Sequence, residues 1–135
     1  MASIHKEIRA ALETKLVGIG GIPPIAFDNV VFNPTTGVSF IKAGYQPTSR
    51  TPAVRGPNPS QLYKGIYSVT VYCPEGNGPA TADGIANTVI ENFEAATDVS
   101  LNNFNVSIDY AERQQGFLDT PWYYIPINIG WYIYN

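Results

Sequence analysis

Charge is scarce in this sequence. Only 14% of its 135 residues are Asp, Glu, Lys or Arg, and the formal net charge is −3. The eight Lys and Arg are scattered without a run, which argues against nucleic-acid binding through a basic surface. There is one cysteine, Cys73. That excludes an internal disulfide framework and a cysteine-based zinc cluster. A single histidine, His5, leaves no Ser–His–Asp or Cys–His combination close in sequence, and a metal would need partners that His5 does not have. No zinc-protease, EF-hand or P-loop motif is present. No apolar run approaches the ~18–20 residues of a membrane span. The first residues are amphipathic and charged, so no signal peptide is expected. The reading is a soluble, non-enzymatic protein made in a cytoplasm, with no cofactor and no metal.

Apolar and aromatic residues are plentiful. The hydrophobic fraction is 44%, with nine Tyr and two Trp, enough for one domain over residues 1–135 with a real core. Tyr and Trp suit places where one side is packed and the other wet. Such a composition fits a surface covered by neighbouring subunits, and it fits equally a Tyr-rich sheet face in a monomer.

The chain is organised around residues 61–95. Tyr67, Val69, Val71 and Cys73 alternate with Ile66, Ser68, Thr70 and Tyr72, which predicts a strand over 65–73 that stops at Pro74. A turn at Gly76-Asn77-Gly78 leads to Pro79, suited to the first turn of a helix. Ala82, Ile85, Ala86, Val89, Ile90 and Phe93 then form one apolar stripe. Before this unit, Ile4, Ile8, Ala11, Leu12 and Leu16 predict a helix over 3–17, capped by Ser3 and ended by Gly18. Gly18-Ile19-Gly20-Gly21 follows a helix rather than a strand, so it is a connector, not a dinucleotide loop. Residues 25–32 and 38–45 read as two strands of a hairpin across a Pro-Gly turn. Residues 46–62 hold Pro47, Pro52, Pro57 and Pro59, show no periodicity, and carry only Arg50 and Arg55 as charges. A segment of that kind is either a projecting arm that meets another subunit or a solvated loop.

After the second helix, residues 97–103 read as a polar transition. Phe104, Val106, Ile108 and Tyr110 share one face of a strand. Residues 111–121 read as a charged loop with the apolar pair Phe117-Leu118 at its tip. Residues 122–134 form the strongest strand, with Tyr123, Ile125, Ile127, Ile129, Trp131 and Ile133 on one face. Pro126 there implies an edge or a bulge, and Gly130 a bend or a close approach.

Four segments carry a resemblance. Gly65, Ile66, Tyr67, Val69, Val71, Pro74, Gly76 and Gly78, with Phe93 ending the helix, resemble the tail-terminator proteins of long-tailed bacteriophages. Residues 27–42 are similar to a strand–turn–strand segment of that family, with Phe40-Ile41-Lys42 where Tyr-Leu-Arg is common. Lys there cannot copy a bidentate Arg contact. Trp122-Tyr123 and Ile125-Pro126 resemble its last strand. The resemblance implies a virion tail protein, assembled in the host cytoplasm, that caps the tail tube as a ring, in this family of six subunits. It also implies an end to tube growth and a surface for head–tail joining. The implied partners are further copies of the chain, the tail tube protein and a head-completion or connector protein. DNA would pass through the lumen without sequence-specific contact.

The expected fold is α+β: a mixed or antiparallel sheet covered on one face by two helices, with a long projecting Pro-rich hairpin arm. Arg50, Arg55, Tyr63, Phe117 and Leu118 are the candidate subunit or partner contacts. The alternatives are another head-to-tail connector or tube-like subunit, and a small monomeric ligand-binding module that uses the aromatic sheet face.

Overall fold

The computed structural model describes residues 4–28, 30–35, 37–52, 60–76, 78–95, 97–101 and 104–135. The protein is α+β, a curled mixed sheet with two helices. Helix α1 is Ile4–Val17, followed by strands β1 (Ile25–Ala26), β2 (Phe40–Pro52) and β3 (Gln61–Pro74). Helix α2 (Ala80–Asn92) precedes β4 (Asp98–Leu101), β5 (Phe104–Arg113), β6 (Phe117–Asp119) and β7 (Trp122–Tyr134). The sheet order is β1-β2-β3-β7-β5-β4, with β6 also on β7. Among the described residues only the β1–β2 pairing is parallel.

β3 and β7 form the spine of the sheet. They pair antiparallel from Leu62–Tyr134 to Pro74–Trp122. Paired residues share a face, so the predicted rows meet: Tyr67 faces Ile129, Val69 faces Ile127, Val71 faces Ile125. All six are buried, and Ile8, Leu12 and Leu16 of α1 and Ala82, Ala86, Val89 and Phe93 at α2 join the same core. α2 packs on β3, β5 and β7, and α1 on β4 and β5. Pro79 is the N-cap of α2 rather than its first helical residue. Cys73 lies buried at the end of β3.

Several expectations are corrected. Residues 25–32 are not a full strand, and they do not form a hairpin with residues 38–45: β1 covers only Ile25–Ala26 and runs parallel to β2. Beyond β1 a side chain takes the place of the ladder: the Asp28 carboxylate accepts the Tyr45 backbone N–H at 3.0 Å, a donor that a longer parallel strand would have met with a backbone carbonyl. The chain then leaves the sheet, exposing Val30 and Val31. β2 starts at Phe40 and continues to Pro52, paired with β3 as far as Pro52–Gln61. Residues 46–52 are all exposed, so no face of them needed apolar alternation. Their prolines fit because β2 has no neighbour on its outer side beyond Lys42 among the described residues, and the ladder bulges just after Pro47. The Ser3 cap, Asn77 and residues 53–59 lie outside the described residues.

The polar transition holds a strand, β4, in a hairpin with β5. A β-bulge between Ile108 and Tyr110 shifts the register of β5 against β7. Ile108 pairs with buried Trp131, but Tyr110 pairs with Gly130 on the opposite face. Tyr110 therefore does not share a face with Ile108, because the extra residue inverts the alternation. Ala111 takes the core position instead, beside Ile129. Gly130 is the close approach expected: a Cβ there would overlap the Tyr110 ring. Pro126 lies in an interior strand, not an edge. Its carbonyl accepts from Gln114 N at 2.9 Å, so its nitrogen faces the seam where β5 has ended and β6 has not begun.

Candidate interaction surface

The face of the sheet away from the core is partly exposed, and at one end it carries a row of rings. Phe40 on β2 stacks on Tyr72 of β3, with centroids 4.6 Å apart and planes within 1°. Tyr72 meets Tyr124 of β7 at 5.4 Å, and Tyr124 stacks on Phe117 of β6 at 5.4 Å. Phe32 extends the row beyond Phe40, and Trp122 packs edge-on against Phe40 at 5.1 Å. The cross-strand register aligns it: Phe40–Tyr72, Tyr72–Tyr124 and Phe117–Tyr124 are direct pairs, and such aromatic pairs each add about 0.5–1.5 kcal/mol beyond area burial. The row borders a groove of about 350 Å³, lined on its other side by Phe27, Val30 and Pro34, with Asp28 and Lys42 as its charged residues. Burial, then the neighbouring Tyr124 and Asp119, pushes the Tyr72 hydroxyl above its ordinary pKa.

The other end of the same strands is basic and Pro-rich. Arg50 donates from Nε to the Tyr63 hydroxyl at 3.0 Å, its guanidinium 5.6 Å from the ring centroid. His5 lies edge-on to Tyr63 and to Tyr45, and its Nδ1 is 2.7 Å from the Tyr45 hydroxyl. Arg9 lies over the Tyr45 ring at 5.0 Å and reaches Asp28 at 3.9 Å. α1 is thereby tied to the base of the β2–β3 hairpin. Beneath this network, Trp131 stacks on Tyr45 at 5.3 Å. The Trp131 indole has room because its partner across the ladder is Gly65.

The candidates chosen from the sequence fall into two groups that the fold does not bring together. Arg50 and Tyr63 sit at the hairpin end; Arg50 is exposed, whereas Tyr63 is 8% exposed and reaches the surface through Arg50. Arg55 lies outside the described residues. Phe117 and Leu118 are 38% and 68% exposed at the aromatic end. They stand not on a loop tip but on β6, where Phe117 joins the row and Leu118 lines a second groove with Pro74, Gly78, Pro79 and Tyr123. The sequence reading missed Phe40 and Tyr72 as members of one surface. Tyr72, Trp122 and Tyr124 did carry the parity of the outward face, but alignment across four strands needed the register.

Among the described residues, no group of three or more His, Cys, Asp or Glu could hold a metal ion, and no helix is long and apolar enough to cross a membrane. No curated protein sequence matches the chain. A solved structure of 21% identity superposes with a TM-score of 0.78 over 99% of this chain and 97% of that chain, which shows the fold. The family model described as phage tail terminator protein matches residues 7–131, from the first turns of α1 to the last turns of β7's ladder. The chain belongs to the phage tail terminator family, a family of phage tail structural proteins.

Proposed function

We propose that this protein caps the end of a phage tail tube as a homo-oligomeric ring of six copies, stops tube polymerisation and offers the surface to which the head is joined. The observation that carries this reading is the family match across residues 7–131. The fold supports it with two unlike ends, a basic hairpin and an aromatic row, because a ring needs two different patches on each subunit. In this reading the distal β2–β3 hairpin and its tip project as an arm, and the two helices back the sheet on one face. The tail tube protein and a head-completion protein meet opposite faces of the ring. The net charge of −3 suits a lumen through which DNA slides without being held.

The experiment replaces residues 48–58 by a short Gly-Ser linker in a phage carrying this protein. The described residues of that span, 48–52, are all exposed, so the purified variant should melt cooperatively as a folded monomer. Electron microscopy of the lysate should show overlong tails or tails without heads. Tails of normal length joined to heads would remove the arm from assembly.

A further inference from the structure

We propose that Tyr134, at the hairpin end of one copy, seats in the groove beside Leu118 at the aromatic end of the next copy. The inference rests on the ring reading and names the two surfaces that meet. Both are apolar and open. Tyr134 closes β7 and is 60% exposed. Among the described residues it is the one large apolar side chain exposed at the hairpin end. Its position is fixed, because the next residue, Asn135, exchanges two backbone hydrogen bonds of 2.9 Å with Gln61. The receiving groove encloses about 280 Å³ between Pro74, Gly76, Gly78, Pro79, Leu118 and Tyr123, none of them charged. Sites for drug-sized ligands start at about 300 Å³, so the groove suits one side chain rather than a longer segment. Pro79 is exposed and Leu118 is 68% exposed, so an incoming ring covers both. Tyrosine fits such a place, since its body is apolar while its hydroxyl can stay in water.

Charge favours the same pairing. Leu62 pairs with Tyr134 and Lys64 with Tyr132, so Lys64 and Tyr134 share a face of the sheet. Lys64 is exposed and makes no ion pair among the described residues, although Asp109 borders it. At the receiving end, Asp119 follows Leu118 in the chain, is exposed, and makes no ion pair among the described residues. Glu75, next to Pro74, accepts a hydrogen bond from the Thr120 hydroxyl at 3.1 Å. Asp83 in the first turn of α2 is already held by Arg113. An unpaired cation beside the tyrosine thus meets an unpaired anion beside the groove.

Geometry excludes the same copy as donor. Tyr123 of the groove and Tyr134 stand at opposite ends of β7, a strand of 13 residues, about 40 Å apart along it. β3 runs beside β7 over the whole of that length, from Pro74–Trp122 to Leu62–Tyr134, and keeps the two ends apart. Tyr134 therefore reaches only another molecule's groove. The contact joins two different patches head-to-tail, the kind that closes into a ring or runs on as a filament.

The test uses full-length variants at these two exposed positions. Tyr134→Ser removes the knob, and Leu118→Glu puts a charge in the groove. Melting curves establish that both fold. Oligomeric state is read by sedimentation velocity and native mass spectrometry beside the wild type. Neither variant alone should assemble. Mixed, they should give a heterodimer and nothing larger, since only one intact knob and one intact groove remain per pair. Either variant assembling like the wild type overturns the proposal, and so does a mixture that stays monomeric while the wild type forms rings. Should the wild type itself form no ring, alone or on tube ends, the ring reading fails. Disulfide trapping then decides the docking separately. Leu118→Cys and Tyr134→Cys proteins are mixed and oxidised, and the cross-linked peptides are identified by mass spectrometry. A 118–134 link at least tenfold above the 118–118 and 134–134 links supports the proposal, and equal yields or no link overturn it.

Discussion

At the scale of single residues, two positions test the packing. Gly65 stands opposite Trp131, and a Cβ there would press on the indole and lie 2.6 Å from the Gln46 carbonyl oxygen. Neither neighbour is a free side-chain end, since Trp131 is buried and Gln46 offers backbone. Gly65→Ala should cost about 1–3 kcal/mol, as overpacked sites do, read as a lower urea midpoint with an unchanged slope. An unchanged midpoint would mean that the stack of Trp131 on Tyr45 can shift freely. Glu13 tests the electrostatics. Burial raises its carboxyl pKa above the ordinary value, with Asp28 acting in the same direction and Arg9 opposing. A carboxyl whose folded pKa is raised favours folding while protonated, and that contribution fades as pH rises through the folded pKa. Glu13→Gln, which mimics the protonated form, should therefore raise the melting temperature at pH 7 and leave it unchanged near pH 4. A drop at pH 7 would show that the charged pair with Arg9 outweighs the desolvation.

At the scale of elements, β7 carries the fold. It lies between β3 on one side and β5 and β6 on the other. Truncation after Asn128 removes buried Ile129, Trp131 and Ile133, each worth about 1.5–3 kcal/mol of burial, against a net stability of about 5–15 kcal/mol for a domain. The shortened chain should be insoluble or unfolded; cooperative melting at the wild-type temperature would refute that role. β7, β3 and both helices were legible in the sequence because each repeats one period over several turns or alternations with one face buried. The distal half of β2 was not. Its residues bury neither face, and ladder hydrogen bonds hold it, which leave no mark on composition. β1 and β4 are too short to show a period. The bulge in β5 was hidden because one extra residue changes no residue type, only the face on which Tyr110 lands. Of the candidate surface, Phe117 and Leu118 stood out as apolar residues in a charged stretch. Tyr63 shares the parity of Tyr67 and could have been read as buried from that alone. The row through Phe40, Tyr72 and Tyr124 is a property of two registers together.

At the scale of the whole molecule, the sheet separates two chemistries. Val30, Val31, Val38, Phe117 and Leu118 are exposed on segments at the aromatic end, while the hairpin end shows Arg50, Lys64, Pro47 and Pro52. The paired length of β2 and β3 that holds them apart also acts as a ruler. In a ring whose copies met through these two ends, the twelve residues from Phe40 to Pro52, about 40 Å of extended strand, would enter the length of each side. The hairpin would then set the bore. Inserting two residues into each strand of the exposed hairpin preserves which side chains face out and adds about 7 Å to each side. Rings of the lengthened protein should be wider under the electron microscope and should no longer seat on a tube of the original diameter. A single-residue insertion in each strand would instead turn every side chain beyond it to the opposite face.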